Sequence, residues 1–167
     1  MSGTVVVRRA RTSDVSTIRT FIDTYSSNGL LLSKATVTLF ESVQEFVVAE
    51  DDGEVVGCGA LHVMWEDLAE VRTLAVSPSA RRRGVGSALL EALVASAADI
   101  GVSKMFCLTF ETAFFGSHGF VEIEGAPVSH EVYEQLLQSY DEGVAEFLGL
   151  ERVKPNTLGN TRMLRTL

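Results

Sequence analysis

Residues Val71–Gly86 read VRTLAVSPSARRRGVG, and the rest of the chain is best understood outward from them. Val71, Leu74 and Val76 form a short β-prone run that stops at Ser77-Pro78, because proline cannot donate to a sheet ladder. Three consecutive arginines, Arg81, Arg82 and Arg83, then precede Gly84-Val85-Gly86 and an apolar helical pattern opening at about Ser87. A strand, a glycine-containing loop and a helix N-terminus together make a grip for a pyrophosphate. The unpaired N–H groups of the first helical turn point at the anion, and glycine lets its oxygens approach the backbone. The arginines add charge-assisted hydrogen bonds. Two other phosphate loops are excluded. The stretch has no G-K-[ST] for a nucleoside triphosphate and no G-x-G-x-x-G opening a dinucleotide-binding unit.

The chain has 167 residues, 46 % of them apolar, enough for one domain with a core. A single domain over 1–167 is expected, with a core over about 4–125 and a helix–strand extension over about 126–167. The apolar run near the N-terminus is too short for a secretory signal, and no run reaches membrane-span length, so a cytoplasmic protein is expected. The net charge of −8 opposes nucleic acid and anionic membrane surfaces as partners, which makes three adjacent arginines conspicuous. Cys58 and Cys107 sit in strand-like apolar runs and read as core residues, and no cluster of residues suggests a metal.

Periodicity lays out the remaining elements. Val5–Arg8 reads as a strand. Thr12-Ser13-Asp14 caps a helix with Ile18, Phe21, Ile22 and Tyr25 on its apolar side, ended by Gly29. A second helix follows Ser33, with Leu39, Phe40 and Val43 buried. Two strands, 46–50 and 55–64, flank an Asp-Gly hairpin turn at 51–54, and a third covers 69–76. The helix 86–100 carries Leu89, Leu90, Leu93, Val94 and Ala97 as one stripe. A strand at 105–109, a short helix at 112–118 and a strand entered by Gly119-Phe120-Val121 come next. Pro127-Val128-Ser129 introduces a further helix with Val132, Tyr133, Leu136, Leu137 and Tyr140 apolar, within a helix-rich extension from Ser129 to Phe147, and a last strand at 158–167 completes an α/β chain around a mixed sheet flanked by helices.

Leu74-Ala75-Val76, R-x-x-G-x-G over Arg81–Gly86, the amphipathic helix and Phe114-Phe115-x-x-x-Gly119-Phe120 together resemble the acetyl-CoA signature of the GCN5-related N-acetyltransferases (GNAT family). Asn28-Gly29-Leu30-Leu31-Leu32, Glu70–Val76 and Met105–Thr109 are similar to the N-acetylglutamate synthases within it. The resemblance implies the GNAT fold, acetyl-CoA as donor with CoA as product, and a small-molecule amino-acid substrate. By the same resemblance the reaction is acetylation of the α-amine of L-glutamate or L-glutamine, the first step of arginine biosynthesis. Many such synthases also carry an amino-acid-kinase domain, and from the 167 residues of this chain none is expected here.

What the resemblance implies for residues follows the same order. Phosphates would sit at Arg81, Arg82, Arg83, Gly84, Val85, Gly86 and Ser87, and pantetheine beside Leu74, Ala75 and Val76. An N–H of that strand would stabilise the developing oxyanion. The amine must lose a proton, its ordinary pKa being about 8. Glu70 is the first candidate base, ahead of Glu66 and Asp67; the competing role for Glu70 is an ion pair with Arg72. By simple alternation Glu70 shares a strand face with Leu74 and Val76. Many GNATs place a tyrosine four residues before the Gly-Phe to protonate the leaving thiolate. Phe115 stands there and cannot, and His118 reads as a surface residue. Leu31, Lys34, Arg72, Asn160 and Arg162 are the candidates for anchoring the amino acid. The rival readings are an acetyltransferase for another small amine or a protein N-terminus, and a non-catalytic acyl-CoA sensor. The apolar tail helix suits either a homodimer interface or the completion of the monomer's own core.

Overall fold

Six α-helices and seven β-strands follow one another in a computed structural model that describes residues 4–27, 35–149 and 160–167. They are β1 (Val5–Arg9), α1 (Val15–Ser27), α2 (Thr36–Glu41), β2 (Phe46–Asp51), β3 (Glu54–Trp65), β4 (Leu68–Val76) and α3 (Val85–Asp99). Then come β5 (Lys104–Thr109), α4 (Thr112–Ser117), β6 (Val121–Glu122), α5 (His130–Leu136), α6 (Glu142–Leu148) and β7 (Thr161–Thr166). The strands run in the order β1-β2-β3-β4-β5-β7-β6. β4 and β5 are parallel, whereas β1–β2, β2–β3, β5–β7 and β6–β7 are antiparallel, so the sheet is mixed as expected. The β4–β5 register covers only Leu68–Lys104, Ala69–Met105 and Glu70–Phe106. No described helix is long and apolar enough to cross a membrane.

The chain packs as two compact units, residues 1–62 with 71–100, and residues 63–70 with 101–167. In the first, Asp14 fixes the start of α1. Its carboxylate accepts the Arg11 N–H (2.7 Å) and both terminal nitrogens of Arg8 (2.8 and 3.0 Å). Ile18, Phe21, Ile22 and Tyr25 then recur at helical spacing and are buried against Leu39, Phe46, Val48, Cys58 and Ala60. A second cluster joins Ala49, Val56 and Ala80 to Val85 and Leu89 of α3, with Leu74 and Val76 packed on it. Gly57 and Gly59 let α3 come close to β3. A Cβ on Gly57 would lie 2.9 Å from Leu89 Cδ1 and 3.1 Å from the Ala75 carbonyl oxygen. The β2–β3 turn has Asp52 and Gly53 at positive φ, as the Asp-Gly sequence predicts.

In the second unit Leu68, Phe106, Leu136, Val144, Phe147 and Leu148 form the core, with the Phe106 and Phe147 rings edge to face at 4.9 Å. β7 lies between β5 and β6, so the last strand is central to this unit.

Several expectations are corrected. The helix opened by Ser129 ends at Leu136, short of Leu137 and Tyr140, and a second begins at Glu142, because the stretch holds two N-caps. Ser129 Oγ accepts from Val132 N–H, and Asp141 Oδ1 accepts from Val144 N–H. Tyr140, 95 % exposed, and Leu137 lie in the break rather than on an apolar face. Phe40 is 49 % exposed, since α2 is a short helix burying only Leu39. β6 spans two residues only. The expected helix stop at Gly29, the cap at Ser33 and the turn near Pro155 lie outside the described residues.

Candidate active site

The arginine–glycine loop belongs to the first unit. Pro78–Ala80 form one 3-10 turn, and Arg82 and Gly84 then take positive φ (63° and 79°) before α3 begins. Glycine adopts that geometry at no steric cost, and an added Cβ on Gly84 would meet nothing within 4 Å. Gly84 is the N-cap of α3 and offers no side chain to its first turn, which also contains no acidic residue. The first α3 bond within the loop is Ala88 N–H to the Gly84 carbonyl. The N–H groups of Val85, Gly86 and Ser87 therefore stand at the positive end of a 15-residue helix with no side-chain cap. That is the arrangement an anionic pyrophosphate fits.

The three arginines are placed differently. Arg81 Nη2 donates to Tyr25 Oη at 3.1 Å, its guanidinium lies 5.7 Å from the Tyr25 ring centre, and the Tyr25 hydroxyl donates to the Val76 carbonyl. Arg83 Nη1 meets Asp51 Oδ2 at 2.7 Å. Arg82 is exposed. Upstream, Leu74 and Val76 pack towards α3 while Ala75 joins the core on α1. Thr73, between them and Glu70, has φ 54°, rare for a β-branched residue. It interrupts the two-residue alternation, so the parity placing Glu70 on one face with Leu74 and Val76 does not carry across it. Arg72 is half-buried on the same strand.

Glu70 belongs to the second unit and is 3 % exposed, opposite Phe106 in the β4–β5 register. Its charge is felt by two neighbours. Burial pushes the Cys107 thiol up and the Glu70 carboxylate pushes it further, so this cysteine is no nucleophile. Cys58 is likewise buried, in line with the core reading of both. Burial lowers the Arg162 pKa, opposed by the carboxylates of Glu146 and Glu70. Arg162 Nη1 donates to the carbonyls of Gly125 (3.0 Å) and Phe147 (2.9 Å), and Nη2 to that of Glu146 (2.9 Å). Its guanidinium also lies 5.7 Å from the Phe106 ring centre. It closes the C-terminal turn of α6, where carbonyls lack helical partners. Asn160, just before β7, is buried, and its Oδ1 accepts no hydrogen bond. Phe115 is buried edge to face with Phe114 and Phe120; His118 is half-buried with its ring 5.0 Å from that of Phe114.

Of the candidate residues, Arg81–Ser87 come together in the first unit and Glu70 shares a charged cluster with Arg162 in the second. Leu31 and Lys34 lie outside the described residues. Sequence alone gives Tyr25, Asp51 and Glu146 no place in the site. Tyr25 reads as one more apolar-stripe residue, and only its hydroxyl, which must find a partner when buried, hints at more.

A mixed sheet whose fourth strand leads through an arginine–glycine loop into this helix start is the arrangement of the acetyl-CoA-dependent N-acetyltransferases. The chain belongs to the Acetyltransferase (GNAT) family, whose model matches residues 17–123. It is 56 % identical over 165 residues to the amino-acid acetyltransferase of Mycobacterium tuberculosis, covering 97 % of this chain and 94 % of that one. A crystal structure from Mycobacterium tuberculosis, in complex with CoA and a ligand designated NLQ, superposes with a TM-score of 0.93 at 56 % identity, covering 97 % and 99 % of the two chains. N-acetylglutamate synthase from Neisseria gonorrhoeae, complexed with coenzyme A and N-acetyl-glutamate, matches at TM-score 0.78 and 26 % identity. That match covers 100 % of this chain and 36 % of the synthase.

Proposed function

We propose that the protein acetylates the α-amine of L-glutamate, or of its near-isostere L-glutamine, at the entry to arginine biosynthesis. The observation that carries this reading is the 56 % identity, over 97 % of the chain, to a protein named amino-acid acetyltransferase. The likeness to a synthase complexed with N-acetyl-glutamate supports the choice of amino acid.

Acetyl-CoA supplies the activated acyl group. The N–H groups of Val85, Gly86 and Ser87 and the loop Arg81–Gly84 bind its phosphates, and β4 over Leu74–Val76 lies along its pantetheine arm. Glu70 takes the proton from the amine, directly or through a water. Its burial keeps competing solvent away from that proton transfer. Arg72 and Asn160 anchor the amino acid, together with Leu31 and Lys34. The buried, unpartnered Asn160 Oδ1 suits an N–H of the substrate. Arg162 serves the same site by holding the end of α6, because its terminal nitrogens already serve three carbonyls.

The test is free-thiol release from acetyl-CoA with each proteinogenic amino acid, with product mass confirmed. Turnover confined to glutamate or glutamine is expected. Efficient turnover of a different amine refutes the substrate assignment, and CoA binding without turnover of any amine refutes the catalytic one. Glu70→Gln is expected to lower kcat by about 10²–10⁴-fold with CoA affinity retained. An unchanged kcat removes Glu70 from the reaction.

A further inference from the structure

Tyr25 lies on α1, far in sequence from the phosphate loop, yet its one hydroxyl is committed on both sides. The Val76 carbonyl can only accept a hydrogen bond, so the phenol donates to it; a guanidinium can only donate, so the phenol accepts from Arg81 Nη2 at 3.1 Å. The ring supplies a third contact, with the guanidinium 5.7 Å from its centre. The phenol thus ties the end of β4 to the first arginine of the loop, and it is itself held rigidly, being 9 % exposed among Ile18, Phe21 and Ile22.

We infer that Tyr25 is a positioning residue for the cofactor: it presets the Arg81 guanidinium for the pyrophosphate of acetyl-CoA. The inference rests on the reading of Arg81–Ser87 as the phosphate site. Arginine is a flexible side chain, and ordering it only on binding weakens the complex; a partner that orders it beforehand removes that loss.

Steady-state kinetics of Tyr25→Phe, Arg81→Ala and the double variant, with acetyl-CoA and with acetyl-pantetheine, tests this. Tyr25→Phe keeps the ring and deletes the tie. It is expected to raise the KM for acetyl-CoA about three- to tenfold, with kcat, the KM for the amino acid and kcat/KM for acetyl-pantetheine unchanged. Arg81→Ala should raise the acetyl-CoA KM more, and Tyr25→Phe should add nothing to it. If Arg81→Ala leaves that KM unchanged, the phosphate-site reading itself fails. If Arg81→Ala raises it and Tyr25→Phe does not, the site stands and the role of Tyr25 is refuted. Equal losses with acetyl-CoA and acetyl-pantetheine also refute it, as they mark general damage to the unit. Arg81→Lys reads the same geometry without touching α1, since lysine keeps the charge but has no planar fork to lie on the ring. It should raise the acetyl-CoA KM nearly as much as Arg81→Ala, and a wild-type value overturns the inference.

Discussion

Replacing Gly57 by alanine should loosen α3 from β3 at the place where the helix start is held. The new methyl would lie 2.9 Å from Leu89 Cδ1, 3.1 Å from the Ala75 carbonyl oxygen and 3.2 Å from Val85 Cγ1. Leu89 can turn aside, but the carbonyl belongs to β4 and cannot, and Val85 is the first residue of α3. Overpacking of this kind costs about 1–3 kcal/mol. Alanine also restricts the unfolded chain more than glycine, which offsets about 0.4–1 kcal/mol. The net loss is about 1–2 kcal/mol, or roughly 2–8 °C in Tm for a chain of this size. Gly59→Ala is the control. Its methyl would meet Leu74 Cδ1 at 3.0 Å and Leu93 Cδ1 at 3.2 Å, both flexible tips, with the nearest backbone atom at 4.0 Å. It should cost less than Gly57→Ala. Thermal unfolding with and without CoA reads both variants, and Gly57→Ala should show the smaller CoA-induced rise in Tm. A Gly59→Ala loss equal to or larger than that of Gly57→Ala would refute the reasoning, because it would mean that backbone contact does not set the cost.

Acid should expose the role of Asp14. The hydrogen bonds from Arg8 hold its pKa below 3.8, opposed by burial and helped by the Arg11 N–H. A depressed carboxyl stabilises the fold above its ordinary pKa and loses that contribution as pH falls below about 4. Asp14→Asn should cost about 1–3 kcal/mol at pH 7 and progressively less towards pH 3, read by urea unfolding across pH; a pH-independent loss contradicts the linkage. Arg162→Met removes three carbonyl bonds and leaves Glu70 and Glu146 buried with less opposing charge, a loss of about 3–5 kcal/mol by chemical denaturation. Arg162→Lys should recover little of it, as one ammonium cannot span Gly125, Glu146 and Phe147, and full recovery would show that charge alone matters. Asp51→Asn should release Arg83 for the phosphates and tighten CoA binding about two- to fivefold, measured by calorimetry, whereas weaker binding would show that the pair serves to shape the loop.

Much of the strand and helix order was legible because it rests on local signals. The Asp-Gly turn at 51–54, the Ser77-Pro78 stop and the apolar stripe of α3 each act over a few residues. The misreadings share a cause. Leu137 and Tyr140 look like a continuation of the stripe in α5, and only the Asp141 cap shows that the backbone starts afresh there. Two-residue alternation in β4 presumes regular backbone, and Thr73 at φ 54° ends it without any glycine to announce the change.

The strand–loop–helix order around Arg81–Gly86, and with it the family, was already in the primary structure. Phosphate binding by a helix start depends on contiguous residues and on a left-handed position that glycine provides locally. What each charged side chain does was decided by the fold. Arg81, Arg82 and Arg83 are adjacent, chemically identical and all exposed, yet one lies on Tyr25 and another faces Asp51, because α1 and the β2–β3 hairpin arrive from elsewhere in the chain. Arg162 looks like any strand arginine until α6 places three backbone carbonyls around it. Charges interact through distance and burial, and only tertiary packing sets either one.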